Sequence, residues 1–392
     1  MEDTSTYTDM FCTRTEFRPV DYPGVADGLV VGIDVGYSSV KTVSKSLVSC
    51  FPSFVRKFTG QLIGELDPSE IIYTDDDTGE IYSVGDYATK SLLRGQYVTE
   101  KAMYDRNHYT TPEFMAQFRC GIAFSIWNEP EGQPIFVETG LPPAYLKEDI
   151  PILRHVLQRD HNFTVKRGKE TKSFHFTLAE ESIDIIAQPM GTLYSVSIDE
   201  KARLTRDMST YLSSSVLIFD GGFGTLDLFY IRNKSIESTD TNDQLGMRRV
   251  LDEARNMIKA DYSMDISIPE MQTYLRTGKA VKRDYITKTT KTIDISGYMR
   301  KANRIICNEA YESIGNYIFD TDFLIMTGGT GAAWYHDFAA KLKDVDTIKV
   351  LPGNMQSPLP NIYANARGYF MSMTNTIRRR DADGGQKDKG TT

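Results

Sequence analysis

An α/β fold made of two duplicated halves is the architecture this sequence predicts, on three observations. Short apolar β-rich runs alternate with helical stretches along most of the chain, the pattern of layered α/β domains rather than of all-α or all-β ones. A hairpin with an Asp–Gly tip occurs twice, at residues 34–41 and 220–227. With 392 residues, 40% of them hydrophobic, the chain is long enough for two or more cores.

Taken in order, residues 1–28 are polar, hold Pro19 and Pro23, and show neither the apolar stretch of a signal peptide nor the amphipathic pattern of a membrane-lying helix. A loose N-terminal arm is expected there. Residues 29–34 (LVVGID) are an apolar β-rich run, Gly36 turns the chain, and residues 40–44 return, which predicts a hairpin. Two more strand-like runs surround Leu47 and Ile71. Asp75, Asp76 and Asp77, closed by Gly79, lack the ligand spacing of a calcium loop and read as a solvated turn. Thr111-Pro112-Glu113 opens a helix reaching about Trp127. A strand at 135–139, a helix at 147–157 and strands near Phe163, Phe174 and Ile183 follow, then a helix over 191–207. The second hairpin has an apolar strand at 216–220, a glycine-rich tip and a return at 226–231. Helices are expected at 245–260 and 295–319, a strand at 323–326, a helix to about Leu342, a strand at 345–350 and a last helix over 360–373. The charged, Gly-containing end, 378–392, is expected to be disordered.

Composition narrows the function. The net charge is −8, whereas a protein that grips the phosphate backbone of DNA itself draws on a strongly basic surface. Direct DNA binding is therefore not expected. Cys12, Cys50, Cys120 and Cys307 form no metal-ligand spacing, and the five His are scattered. No apolar run approaches the length of a membrane span, so a cytoplasmic protein without membrane contact is expected. Two basic stretches, one holding Lys279, Lys282, Arg283, Lys288 and Lys291 and the other Arg378, Arg379 and Arg380, read as a solvated loop and a helix-ending cap.

Three segments carry chemistry. In Asp34-Val35-Gly36-Tyr37-Ser38-Ser39-Val40-Lys41 a carboxylate ends one strand, glycine lets the backbone turn close to a ligand, and the N–H groups of such a tip form an anion-binding concavity. Lys41 on the returning strand is placed to reach a phosphate as a point charge. Asp220-Gly221-Gly222-Phe223-Gly224-Thr225-Leu226-Asp227 repeats the design with more glycine. Two such loops facing one another would clamp the β- and γ-phosphates of a nucleotide. Asp34 and Asp220 would then hold Mg²⁺, largely through water, because Mg²⁺ dehydrates reluctantly. Thr327-Gly328-Gly329-Thr330-Gly331 lies between an apolar strand and a helix, where close backbone approach and the helix N-terminus favour a phosphate-bearing ligand.

In this order the three segments resemble the phosphate-1, phosphate-2 and adenosine motifs of the actin superfamily, which includes actins, bacterial actin-like proteins, sugar kinases and heat-shock chaperones. The resemblance runs over residues 29–373 and implies the actin-like (ribonuclease H-like) fold, two lobes around a nucleotide cleft. It implies that Gly36, Tyr37, Ser38 and Lys41 with Gly221, Gly222, Phe223, Gly224 and Thr225 meet the phosphates, and that Gly328, Gly329 and Thr330 meet the nucleoside. Residues 185–194 are similar to the first interlobe connection, in which Gln188 would orient the attacking water. Residues 361–369 (NIYANARGY) resemble the second connection and are nearly identical to a phrase of ParM-type plasmid-segregation actins. Gly140-Leu141-Pro142-Pro143 and Leu245-Gly246 are similar to the same group. Residues 58–106 match no member of the family closely.

The resemblance implies an arm at 1–28, lobe I at 29–187, lobe II at 188–357, a helix returning to lobe I at 358–377 and a tail at 378–392. It implies an ATPase that assembles with itself into filaments, with ATP (GTP left open) and Mg²⁺ as ligands. Hydrolysis would drive disassembly, and a DNA-bound adaptor of ParR type would link the filament to plasmid or phage DNA. The alternative on the same fold is a small-molecule kinase, with Asp227 as the base. A peptide-binding chaperone is not favoured, because the chain ends soon after its last helix.

Overall fold

The computed structural model describes residues 13–92, 106–284 and 286–387. The first twelve residues of the expected arm, part of the 58–106 stretch and the last five residues of the expected tail lie outside the described residues.

Strands β1 (Glu16–Pro19), β2 (Leu29–Val35), β3 (Ser39–Val43) and β4 (Leu47–Pro52) begin the chain. Then come β5 (Val55–Lys57), β6 (Glu70–Asp75), β7 (Ile81–Gly85), helix α1 (Asp86–Leu92), α2 (Pro112–Ile126), β8 (Ile135–Leu141) and α3 (Leu146–Leu157). β9 (Asp160–Arg167), β10 (Glu170–Thr177), β11 (Ile183–Ala187), α4 (Gln188–Ser197) and α5 (Asp207–Ser213) follow. The second half holds β12 (Val216–Gly221), β13 (Leu226–Arg232), β14 (Ser235–Asn242), α6 (Met247–Tyr262), α7 (Ile268–Leu275), β15 (Lys279–Asp284) and β16 (Thr289–Asp294). It ends with α8 (Ser296–Ser313), α9 (Gly315–Ile318), β17 (Phe323–Thr327), α10 (Gly328–Leu342), β18 (Lys349–Pro352) and α11 (Ala364–Lys387).

The duplication read from the two hairpins is visible in the sheets. One sheet has the order β1-β4-β3-β2-β8-β11 and another β14-β13-β12-β17-β18. Leaving out β1, the two orders superpose strand for strand. β2 pairs antiparallel with β3 and parallel with β8, as β12 does with β13 and β17. The central strands β2 and β12 are apolar and buried along almost their whole length, as strands covered on both faces must be. A third sheet, β10-β9-β6-β7-β5, is an insertion in the first half. At its β6–β7 turn the three acids form the expected turn. The Asp75 carboxylate accepts the N–H groups of Asp77 and Thr78, at 3.1 and 3.0 Å, and pairs with the buried Arg119 at 2.9 Å.

Local signals explain two of the helix starts. Thr111 caps α2 by accepting the Phe114 N–H, with Pro112 in the first turn. Ser267 and Glu270 make a capping box on α7. Residues Val250, Leu251, Ala254 and Ile258 form the buried face of α6.

Helices α4 and α11 connect the halves and lie between the two large sheets. Leu193 and Val196 of α4 pack with Val216, Ile218 and Phe229 of the second sheet. Phe370 and Met371 of α11 pack with Val30, Val43 and Val48 of the first. Where they cross, a side chain on Gly368 would meet the Gly191 carbonyl oxygen at 1.7 Å, so this approach requires glycine. Next to the crossing the buried Arg367 donates to the carbonyls of Ser195 (2.7 Å), Ile198 (3.1 Å) and Gln356 (3.2 Å). The cation thus sits on the free carbonyls at the C-terminal end of α4, where the helix dipole favours it.

Several elements differ from expectation; β14, α5 and α7 were not read from the sequence, and β18 lies at Lys349–Pro352 rather than 345–350. Residues 16–19 are not loose: β1 pairs with β4 from Glu16↔Cys50 to Pro19↔Leu47, using a sheet edge that would otherwise be open. The basic loop at 279–291 is a two-stranded hairpin, β15–β16. The first connecting helix runs over Gln188–Ser197 and not 191–207, with Pro189 in its first turn, and a separate helix begins only at Asp207. The last helix runs on to Lys387 through residues expected to be disordered; Arg378 is held there by the carbonyls of Gly24 and Lys201.

Candidate functional site

The duplicated hairpins bring their tips to one cavity of about 750 Å³. Their turns are built alike. In the first the Gly36 N–H donates to the Ser39 carbonyl at 3.1 Å, and in the second the Gly222 N–H donates to the Thr225 carbonyl at 2.9 Å. Each donor follows the strand-ending Asp by two residues and each acceptor by five, so the same turn is written twice.

Asp34, Gly36, Tyr37, Ser38, Lys41, Gln188, Asp220, Gly222, Phe223, Gly224, Thr225, Gly328, Gly329 and Thr330 all line this cavity. Gly221 is the one expected site residue that does not. It is buried beneath the start of α10, where an added Cβ would lie 2.6 Å from the Gly331 nitrogen. The three motifs are also tied to each other. The Thr330 hydroxyl donates to the Gly222 carbonyl at 2.6 Å, and the α6 start is joined to the second loop by Arg248 N–H donating to the Phe223 carbonyl at 2.8 Å. Gly328 has φ +76°, a left-handed conformation that glycine adopts without strain, and this swings the N-terminus of α10 toward the cavity.

The charges are arranged unequally. Lys41 pairs with Asp34 Oδ2 at 3.1 Å. Burial alone would lower the Lys41 pKa, but Asp34, then Cys50, outweigh it and hold the ammonium above its ordinary value. Gln188 donates its amide to Asp34 Oδ1 at 3.4 Å. Asp220 is buried and its pKa is pushed up to about 7, first by burial and then by Asp227, against a hydrogen bond from Asn365. Asp227 is pushed up to about 6 by burial, although the Thr241 and Thr225 hydroxyls donate to it at 2.6 and 3.0 Å. Raised carboxylates side by side are a place where a cation is favoured.

The donor set fits a hard divalent cation. Asp34 and Asp220 supply carboxylate oxygens, and among the described residues no group of three or more His, Cys, Asp or Glu forms a complete cage.

The sequence reading missed several lining residues. Asn365, on α11, donates to Asp220 Oδ2 at 2.7 Å and accepts from the Thr192 hydroxyl at 2.6 Å. Asn361 donates to the Met326 carbonyl at 2.9 Å. Both sit in the phrase quoted for the second connection, which was the available signal. The His108 ring lies tilted against Tyr37, centroids 5.3 Å apart, and both line the cavity. Thr13, Arg14, Thr15, Glu16 and Arg18 line it as well, and nothing in their sequence marked them. Cys50, Cys120 and Cys307 are free and buried, and Cys12 lies outside the described residues. Among the described residues no helix is long and apolar enough to cross a membrane.

Residues 32–191 match the family described as actin-like proteins N-terminal domain. No curated protein matches the chain. Among solved structures, a 15-stranded ParM filament from Clostridium botulinum superposes with a TM-score of 0.67 at 18% identity, covering 90% of this chain and 100% of that one. Bacillus thuringiensis ParM with ATP gives 0.60 at 16% identity, covering 90% and 100%. The archaeal actin homolog Ta0583 in complex with ADP gives 0.58 at 17% identity, covering 88% and 99%. At these identities the structural likeness is one of fold. Residues 32–191 thus match an actin-like N-terminal domain, and the chain has an actin-like fold that resembles the ParM-type actins.

Proposed function

We propose that this chain is a filament-forming ATPase that assembles with ATP bound and disassembles after hydrolysis. The observation that carries the proposal is the pair of identical turns, Gly36–Ser39 and Gly222–Thr225, presented from two sheets to one cavity. Their N–H groups are anion-binding tips, and facing tips suit a chain of phosphates. The actin-like relatives with similar folds support the same reading, since one is a ParM filament, one is a ParM with ATP and one an actin homolog with ADP.

Asp34 and Asp220 would hold Mg²⁺ through waters, and the ion would supply charge neutralisation at the β- and γ-phosphates. Lys41, paired with Asp34, lies where it adds a cation to the phosphate side. Gln188 has an amide that both donates and accepts, which suits orienting a water rather than taking its proton. Thr330 and Gly329, at the start of α10, border the nucleoside end. Closing of the two halves on ATP, and reopening after hydrolysis, would couple chemistry to assembly through differential affinity for two conformations. Movement of plasmid or phage DNA through a ParR-type adaptor, and a cytoplasmic setting, belong to this reading.

The second reading, a small-molecule kinase, would use Asp227 as base. Both its oxygens already accept threonine hydroxyls, from Thr225 and Thr241, which leaves it poorly disposed to take a substrate proton.

Right-angle light scattering with phosphate release in parallel, after adding Mg-ATP, tests the proposal. A scattering rise above a critical concentration, then decay as phosphate appears, is the expected result. Steady ATP consumption with no scattering at tens of micromolar protein would favour the kinase. Replacing ATP by GTP in the same assay sets the nucleotide preference.

A further inference from the structure

The five cavity-lining residues between Thr13 and Arg18 stand outside the duplicated core, because β1 has no counterpart in the second sheet. How they are held is specific. Asp86, the first residue of α1, is an ion-pair partner of Arg276, which ends α7. α1 packs on the inserted sheet of the first half, and α7 belongs to the second half, so this pair joins the two halves directly. The same two side chains seat the segment. Asp86 Oδ2 accepts the Thr15 N–H at 3.0 Å, and Arg276 Nη2 donates to the Thr13 carbonyl at 3.3 Å. Asp86 is 4% exposed, so its charge is withdrawn from water and depends on these partners.

The segment also offers unused polar atoms. Thr15 Oγ1 and Arg18 Nε are buried and have no hydrogen-bond partner among the described residues. Buried polar groups are normally satisfied, and both belong to residues that line the cavity.

We infer that residues 13–18 are a wall of the nucleotide cavity and that the Asp86–Arg276 pair, which seats them, is a latch between the two halves that retains the nucleotide. The inference rests on the reading of the cavity as a nucleotide site. Separating the two halves far enough to release a ligand breaks the pair and frees Thr13 and Thr15 together. Removing one member of a desolvated, hydrogen-bonded charge pair acts mainly on dissociation. The latch therefore slows nucleotide exchange more than it slows capture.

The test is stopped-flow displacement of a fluorescent ATP analogue with Mg²⁺ by excess unlabelled ATP. It compares the wild type with Arg276→Ala, Asp86→Asn and the double variant. Release is expected to quicken by about tenfold or more in each single variant, with association changed by less than about threefold, as for pairs that govern dissociation. The double variant should release no faster than the quicker single one, because the two side chains act as a unit. Arg276→Lys, which keeps the charge at a partly exposed position, is expected to recover most of the retention and guards against a folding defect. Amide hydrogen exchange at Thr15, measured without nucleotide, should be faster in Asp86→Asn. Release within twofold of the wild type in both single variants overturns the latch. Unchanged protection of the Thr15 amide overturns the seating of the segment on Asp86. A wild-type protein that binds no labelled nucleotide instead removes the nucleotide reading itself, and retention with it.

Discussion

The two hairpin loops share a turn and differ in charge. In the first, the residue paired in register with Asp34 is Lys41; in the second, the residue paired with Asp220 is Asp227. One duplicated position thus carries a compensating cation in one half and a second carboxylate in the other. The first loop is neutralised from within. The second holds two buried acids whose pKa values stand at about 7 and about 6, a state that a bound cation would relieve. A second difference lies one residue after the strand-ending Asp, where Val35 in the first loop answers to Gly221 in the second. Only Gly221 lies against the backbone at the start of α10. The comparison teaches that one loop carries its own compensating cation, while the other keeps two buried acids together and anchors the helix beside it.

The largest effect that would break this view belongs to Asp220. Asp220→Asn should lower phosphate release from Mg-ATP by about 100-fold or more, the scale seen when a group stabilising developing charge is removed. Near-normal release would remove Asp220 from the role of metal organiser.

The pH dependence of stability comes next. The folded pKa of Asp220, about 7, lies above the unfolded value of about 3.9. Between these values the folded state keeps a proton that the unfolded state has released. The unfolding free energy of the nucleotide-free protein should therefore fall as pH rises from about 4 to about 7, by at most about 1.4 kcal/mol per pH unit. Urea denaturation at several pH values should show this slope in the wild type and a flatter one in Asp220→Asn.

Gly221→Val should cost about 1–3 kcal/mol, as overpacking against fixed backbone does. The counterpart change, Val35→Ala, trims only part of a half-buried side chain and should cost about 1 kcal/mol or less. Equal costs in urea denaturation would erase the second difference between the loops. The last change is Lys41→Met, which gives the first loop a neutral partner. It should weaken nucleotide affinity by about tenfold, or about 1.4 kcal/mol, measured by titration of a fluorescent analogue.

The loops were readable in the sequence because their chemistry demands Asp and Gly at fixed offsets and places them after apolar strands. The duplicated design followed from finding the same phrase twice, whereas the strand order within each sheet was not read from the sequence. Other parts were hidden for physical reasons. Glu16-Phe17-Arg18-Pro19 has no alternation to read, and its strand state comes from the edge of β4 rather than from its own residues. The β15–β16 hairpin was masked by lysines and arginines that keep it in water. Lys282 is held by the Tyr262 carbonyl and Lys291 lies over the Tyr262 ring, 5.0 Å from its centroid. The continuation of α11 past Arg378 depends on carbonyls of Gly24 and Lys201, far away in sequence. Pro189 did mark the start of α4 at Gln188, and that signal was there to be used. Asn365 carries no signature alone, since a single Asn in a helix has many ordinary explanations.

That asparagine has a mechanical consequence. Its amide nitrogen donates to Asp220 and its amide oxygen accepts from Thr192 of α4, within one turn of the Gly191–Gly368 contact. One planar group is thus gripped at one end by the carboxylate of the site and at the other by the helix that crosses its own. Whatever changes the charge on Asp220 changes the pull on one end of that plate. The crossing of α4 and α11 then behaves as an axle with a lever fixed to it, and the ionic state of the cavity is felt as torque between the two halves.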